Sequence, residues 1–156
     1  MRLLVAAVGQ RMPRWVDEAF SEYAKRMPRN ARIELLEIRP EPRTQAKPVA
    51  KLLDAEAGRI LAALPAGCAL VALDEHGRAM TSVDLARWLG RRIEDATDTA
   101  FVIGGADGLS PQLKGRAGMR LALSAMTLPH ALARVLLAEQ LYRAASILQN
   151  HPYHRH

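Results

Sequence analysis

The sequence predicts an α/β fold with a mostly parallel sheet flanked by helices. Three observations lead there: five apolar runs of strand length, helix-patterned segments between them, and runs that are apolar at nearly every position. A strand without alternation is covered on both faces, as in a parallel sheet packed between helices.

The predicted elements follow in chain order. Residues 3–8 form the first strand, and a helix over 14–26 starts behind Pro13. The second strand spans 33–38. Residues 39–48 hold Pro40, Pro42 and Pro48 among Arg39, Arg43 and Lys47, which makes an extended surface loop without a core of its own, a connector in preference to a lid. A helix over 49–64, a strand over 69–73 and a helix over 83–93 behind Thr81 and Ser82 come next. A fourth strand (100–103), a short helix opened by Ser110-Pro111, a fifth strand (121–123) and a helix at 130–149 complete the chain. Proline in the first turn and Ser or Thr just before it start helices because the amide there lacks an intrahelical partner. The last helix is apolar around almost its whole circumference, so it is buried on several sides. One sheet face cannot cover it, and burial against a second copy of the chain is expected. A charge at Leu137 or Leu141 should then split a dimer or unfold the chain. Trp15 and Trp88 are expected in the core, and Cys68 as a small apolar filler before a strand.

Composition is that of a globular protein: 156 residues, 49% hydrophobic and 24% charged. A single domain over 1–156 is expected. One cysteine excludes an intramolecular disulfide and a cysteine-based zinc site, and the apolar run at 1–8 is too short for a signal peptide. A reducing, cytoplasmic setting follows as the expectation. Arg134, Glu139 and Arg143 interrupt the apolar stretch 131–148, which argues against a membrane span. The net charge of +6 is local. Residues 1–113 carry 16 Lys and Arg against 15 Asp and Glu, whereas residues 114–156 carry six against Glu139 alone. A concentrated basic surface suits a polyanion, because each neutralised phosphate releases a counterion.

Three segments offer chemistry. Residues 103–108 (IGGADG) join a strand to a short helix, where glycines let a ligand approach the backbone. The spacing is neither that of a dinucleotide fingerprint nor that of a P-loop, since no Lys-Ser or Lys-Thr follows. A tight structural turn has the same spacing. Residues 123–130 (LSAMTLPH) form an uncharged loop suited to a flat heteroaromatic ligand held by backbone hydrogen bonds, or simply a helix start set by Pro129 with Ser124 and Thr127 tying up turn amides. His130 reads as a structural side chain. The tail, 150–156 (NHPYHRH), gathers three histidines, a tyrosine and an arginine. Zinc held by His151, His154 and His156 lacks a completing Cys or carboxylate, and stacking plus cationic contact with RNA fits better. Glu139 and Arg143 are spaced as an i,i+4 ion pair.

Taken in order, these segments resemble the bacterial ribosomal RNA large-subunit pseudouridine N3-methyltransferases, a minimal branch of the SPOUT (α/β-knot) methyltransferases. The resemblance runs the full length and rests on LVALD at 70–74, IGGADGLS at 103–110, LSAMTLPHALARVLLAEQLYRAA at 123–145 and NHPYHR at 150–155. Gln10 stands after Gly9 where the family commonly has Lys. The resemblance implies a C-terminal trefoil knot, a homodimer, and an S-adenosylmethionine site at positions corresponding to Leu73, Gly105, Ser124, Ala125, Met126, Thr127, Leu128 and Pro129, where a valine in place of Gly105 should obstruct the ligand. It implies as substrate a pseudouridine of 23S ribosomal RNA presented by the large subunit or assembled ribosome. Methyl transfer from a sulfonium is an in-line displacement that needs alignment and loss of the N3 proton, and it requires no metal. A histidine titrating near neutrality can accept that proton and an arginine can steady the anionic base, which nominates His154 and Arg155, with Tyr153 stacking on or positioning the base. A ribosome-binding factor without chemistry and a nicotinamide-dependent reductase are the rival readings.

Overall fold

The computed structural model describes residues 1–44 and 46–155. Five parallel strands, β1 (Arg2–Val8), β2 (Arg32–Ile38), β3 (Ala69–Ala79), β4 (Thr99–Ile103) and β5 (Met119–Ala122), form one sheet in the order β2-β1-β4-β3-β5. Two of the three interior strands are apolar runs without alternation: β4 is buried throughout and β1 from Leu3 onward. Alternate side chains enter two cores. Leu3, Val5, Ala7, Phe101 and Ile103 face α1 (Arg14–Ala24), α3 (Ser82–Glu94) and α5 (His130–Leu148). Ala6, Val8 and Val102 face α2 (Val49–Ala63) and α4 (Pro111–Arg116).

The start signals act as expected. Thr81 Oγ1 accepts from the Asp84 amide, and Ser110 Oγ from the Leu113 amide behind Pro111. Trp15 overturns its expected core position, since 51% of it is exposed. It lies about 100° around the helix from its neighbour Val16, and Val16 and Phe20 take the inward stripe instead. Trp88 does pack, edge-on to Phe101 at 5.6 Å.

Strand β3 continues past Leu73 to Ala79, with a register shift against β5 between Leu73 and Arg78. The polar run DEHGR disguised this extension. Gly77 permits it, because a Cβ there would lie 2.7 Å from the backbone of Arg120. The described residues of segment 39–48 form a connector fastened by charge. Arg43 donates to Glu56 (2.7 Å) and to Asp107 (3.1 Å), and the Glu41 amide also donates to Glu56, which is 2% exposed. Arg43→Ala leaves that buried carboxylate short of donors and should cost about 1–3 kcal/mol, seen as a lower urea midpoint at unchanged slope.

Candidate active site

All five strands end on the same edge of the sheet, where the crevices of parallel α/β folds take ligands. There, β3, β4 and β5 deliver three segments, 73–76, 103–109 and 121–128, to one open cavity of about 540 Å³. The glycine turn forms one wall. Gly108 adopts φ +77° and its amide donates to the Gly105 carbonyl at 3.1 Å, closing the turn on itself. A Cβ on Gly104 would lie 2.5 Å from the Gly108 carbonyl, so this position admits no side chain. A Cβ on Gly105 would instead meet Val8 Cγ1 at 3.1 Å. The expected effect of a valine there changes accordingly: it presses on the end of β1 rather than filling the cavity.

Of the sequence-predicted cofactor residues, Leu73, Gly105, Ser124, Met126, Thr127 and Leu128 line the cavity. Ala125 and Pro129 lie beside it without lining it, and Pro129 is the N-cap of α5. Ser124 Oγ accepts from the Met126 amide (2.9 Å), and Thr127 Oγ1 donates to Glu75 (2.9 Å). Loop 123–129 thus holds its own turn and reaches across to β3.

The walls mix two characters. Leu73, Ile103, Leu121, Leu123 and Leu128 are apolar, while three carboxylates, Asp74, Glu75 and Asp107, share the lining with one lysine, Lys114, and Arg43 outside it pairs with Asp107 while also serving Glu56. Burial alone would raise the Asp74 carboxyl, but the His76 amide and the Lys114 ammonium at 3.4 Å together hold it below its ordinary value. The cavity therefore keeps a negative excess. Apolar walls, exposed backbone and negative charge fit a nucleoside-bearing cation such as S-adenosylmethionine in both size and sign. Nicotinamide dinucleotides carry anionic phosphates, which this charge does not favour.

His130, assigned a structural role by sequence, also lines the cavity, 2.8 Å from the Gly104 carbonyl and 2.9 Å from Arg134 Nε. Burial lowers its basicity, opposed by the hydrogen bond to Gly104 and reinforced by Arg134. Sequence reasoning missed Arg134 and the acidic wall. An arginine inside an apolar helix was the available signal, because a buried guanidinium demands several acceptors.

The three tail residues do not join the cavity of their own chain. Tyr153, His154 and Arg155 form a short 3₁₀ turn, η1 (Pro152–Arg155), beyond the C-terminal end of α5, whereas the cavity adjoins its N-terminal end. The 19 residues between span about 28 Å. The tail is better anchored than its composition suggests. Tyr153 packs on Tyr142 at 4.6 Å and under the Arg143 guanidinium at 5.0 Å, and its hydroxyl donates to Glu139 at 3.3 Å. Burial raises the Tyr153 phenol well above its usual value, so it stays protonated. The expected Glu139–Arg143 pair forms at 3.2 Å and serves as the platform for this ring. His154 Nδ1 is buried and has no hydrogen-bond partner among the described residues. Of the histidines weighed as zinc ligands, His156 lies outside the described residues, and among the described residues no three His, Cys, Asp or Glu side chains gather as a metal site. No helix is long and apolar enough to cross a membrane, among the described residues.

Comparison with known proteins gives the family of the chain. A protein from Ralstonia pickettii (strain 12J) named ribosomal RNA large subunit methyltransferase H is 58% identical over 155 residues, covering 99% of both chains. A protein of the same name from Nitrosospira multiformis is also 58% identical, with the same coverage. Among solved structures, a probable methyltransferase from Bordetella pertussis Tohama I shares the fold with a TM-score of 0.55 at 18% identity, covering 92% of this chain and 95% of that one. A structure concerned with 2-OH methylation of C/U34 on tRNA does so at 0.53 and 19%, covering 96% and 97%. A family profile described as "Predicted SPOUT methyltransferase" matches residues 1–154, and the chain belongs to the SPOUT methyltransferase family.

Proposed function

We propose that this chain is an S-adenosylmethionine-dependent methyltransferase acting on ring nitrogen N3 of a pseudouridine in 23S ribosomal RNA, within the large subunit or the assembled ribosome in the cytoplasm. The observation that carries this reading is the 58% identity over nearly the whole length to proteins named ribosomal RNA large subunit methyltransferase H. The cavity at the strand ends, with its negative excess, supports it.

When bound, S-adenosylmethionine supplies an electrophilic methyl group on a sulfonium. Backbone groups of the glycine turn and of loop 123–129 hold the cofactor, with Leu73, Gly105, Ser124, Met126, Thr127 and Leu128 at the cavity and Ala125 and Pro129 shaping the loop. Asp74, Glu75 and Asp107 offset its positive charge. Tyr153 positions the target base, His154 accepts the N3 proton, and Arg155 steadies the resulting anion or contacts phosphate.

A homodimer reconciles the two distant halves of this site. If the α5 helices of two protomers meet antiparallel, the tail of one reaches the cavity of the other. Leu132 and Leu136, one turn apart on α5, are 40% and 38% exposed and offer the apolar face. Leu137 and Leu141 are fully buried within the protomer, so a charge there unfolds the chain instead of splitting the dimer. Leu136→Glu is expected to yield a folded monomer by light scattering, with methylation lost; a dimer of undiminished mass would refute this interface.

A trefoil knot is part of the same proposal. Strand β5 lies at the sheet edge, yet α5 packs between α1 and α3. The chain between them reaches segment 75–82 through Thr127–Glu75 (2.9 Å), and α5 itself meets the first residue of α3 through Gln140–Ser82 (2.6 Å). The experiment that tests the function is mass spectrometry of ribosomal RNA from a strain lacking the protein, beside calorimetric titration with S-adenosylmethionine and NADH. Loss of one methylated pseudouridine and binding of the first ligand alone are expected. NADH binding would favour a reductase, and binding of neither ligand a ribosome-binding factor.

A further inference from the structure

Arg134 is fully buried within α5, and each of its guanidinium nitrogens is committed. Nε donates to His130 Nε2, Nη1 to Glu37 Oε2 and Nη2 to the Gly9 carbonyl, each at 2.9 Å. A guanidinium has no acceptor, so His130 Nε2 must be the accepting nitrogen and the ring proton must sit on Nδ1. That nitrogen faces the Gly104 carbonyl at 2.8 Å, which can only accept. The two contacts fix one neutral tautomer.

The chain of hydrogen bonds ties together the ends of β1, β2 and β4 at the first turns of α5. Its last member, Gly104, tolerates no side chain and lines the cavity. A protonated imidazole would turn an N–H toward the Arg134 N–H and present positive charge to a cationic ligand. We propose that His130 is a positioning residue of the cavity, held as the neutral Nδ1–H tautomer by buried Arg134, and that this relay orients the Gly104 peptide in the cofactor wall. The inference rests on reading the cavity as the S-adenosylmethionine site.

The test has two arms. Long-range ¹⁵N–¹H correlation spectra of the histidine rings should show His130 as the Nδ1–H tautomer at neutral pH. An Nε2–H tautomer or an imidazolium would overturn the relay. Calorimetric titration of the full chain with S-adenosylmethionine should find binding weakened about tenfold in His130→Phe, the worth of one well-made hydrogen bond. His130→Asn returns a donor toward Gly104 and should recover most of that loss. Unchanged affinity in His130→Phe would refute the positioning role, and if that variant does not fold, the spectra of the native protein decide. Failure of the native protein to bind S-adenosylmethionine overturns the cavity reading instead, with the tautomer still decided by the spectra.

Discussion

His154→Ala and Arg155→Ala should each lower methylation of ribosomes by about 10²–10⁴-fold while leaving S-adenosylmethionine affinity unchanged, the range typical of a lost proton acceptor or of lost electrostatic stabilisation. The separation of tail and cavity along α5 is the reason: the cofactor walls of the same chain do not touch these side chains. Groups that act only on the transition state change turnover and spare ground-state binding. Deleting 153–156 does not isolate a chemical role. Tyr153 covers Tyr142 and bonds to Glu139, so truncation also removes packing and should lower the melting temperature. Mixing two impaired proteins at limiting S-adenosylmethionine gives a sharper answer. His154→Ala keeps a good cavity, and Gly104→Ala keeps a good tail. If the site is completed across the dimer, exchange of subunits creates one intact site per mixed dimer and restores activity. No recovery after verified exchange would rule out completion of the site across the dimer, and near-native methylation by His154→Ala would remove His154 from the reaction.

The parts of this protein that read clearly from sequence are those set by local physics. Unbroken apolar runs gave β1 and β4 because burial on both faces leaves no polar side to display. Thr81, Ser110 and the prolines before α1, α2 and α5 marked helix starts because backbone amides there need partners or removal. Long-range pairing was not legible. The extension of β3 depends on Gly77 meeting the backbone of Arg120, which no local pattern encodes. The acidic cavity wall combines Asp74 and Glu75 of β3 with Asp107 of the turn after β4, residues that become neighbours only once β3 and β4 pair. Likewise the roles of His130 and Arg134 arise from Gly9, Glu37 and Gly104, up to 125 positions away. Trp15 shows the converse error, in which residue type suggested burial and helical phase denied it.

Gly104→Ala and Gly105→Ala should differ sharply although the residues are adjacent. At Gly104 the new methyl would lie 2.5 Å from the Gly108 carbonyl carbon and oxygen and 2.9 Å from its Cα, and all three are backbone atoms of the same closed turn. Relief requires moving the turn itself, which displaces two cavity-lining residues and strains the hydrogen bond from His130. Forcing an atom into so tight a space costs about 1–3 kcal/mol, and the displaced wall should weaken S-adenosylmethionine binding by tenfold or more on that scale. At Gly105 the methyl meets only the Cγ1 of Val8 at 3.1 Å, a side-chain atom that can give by a few tenths of an ångström. Stability should fall by less than about 1 kcal/mol there, and affinity should stay within a few-fold of native. Calorimetric titration and thermal melts of both variants measure the contrast. Native-like binding by Gly104→Ala would show that the glycine turn is not a wall of the cofactor site, and a loss at Gly105 as large as at Gly104 would show that the Gly105 backbone meets the ligand directly.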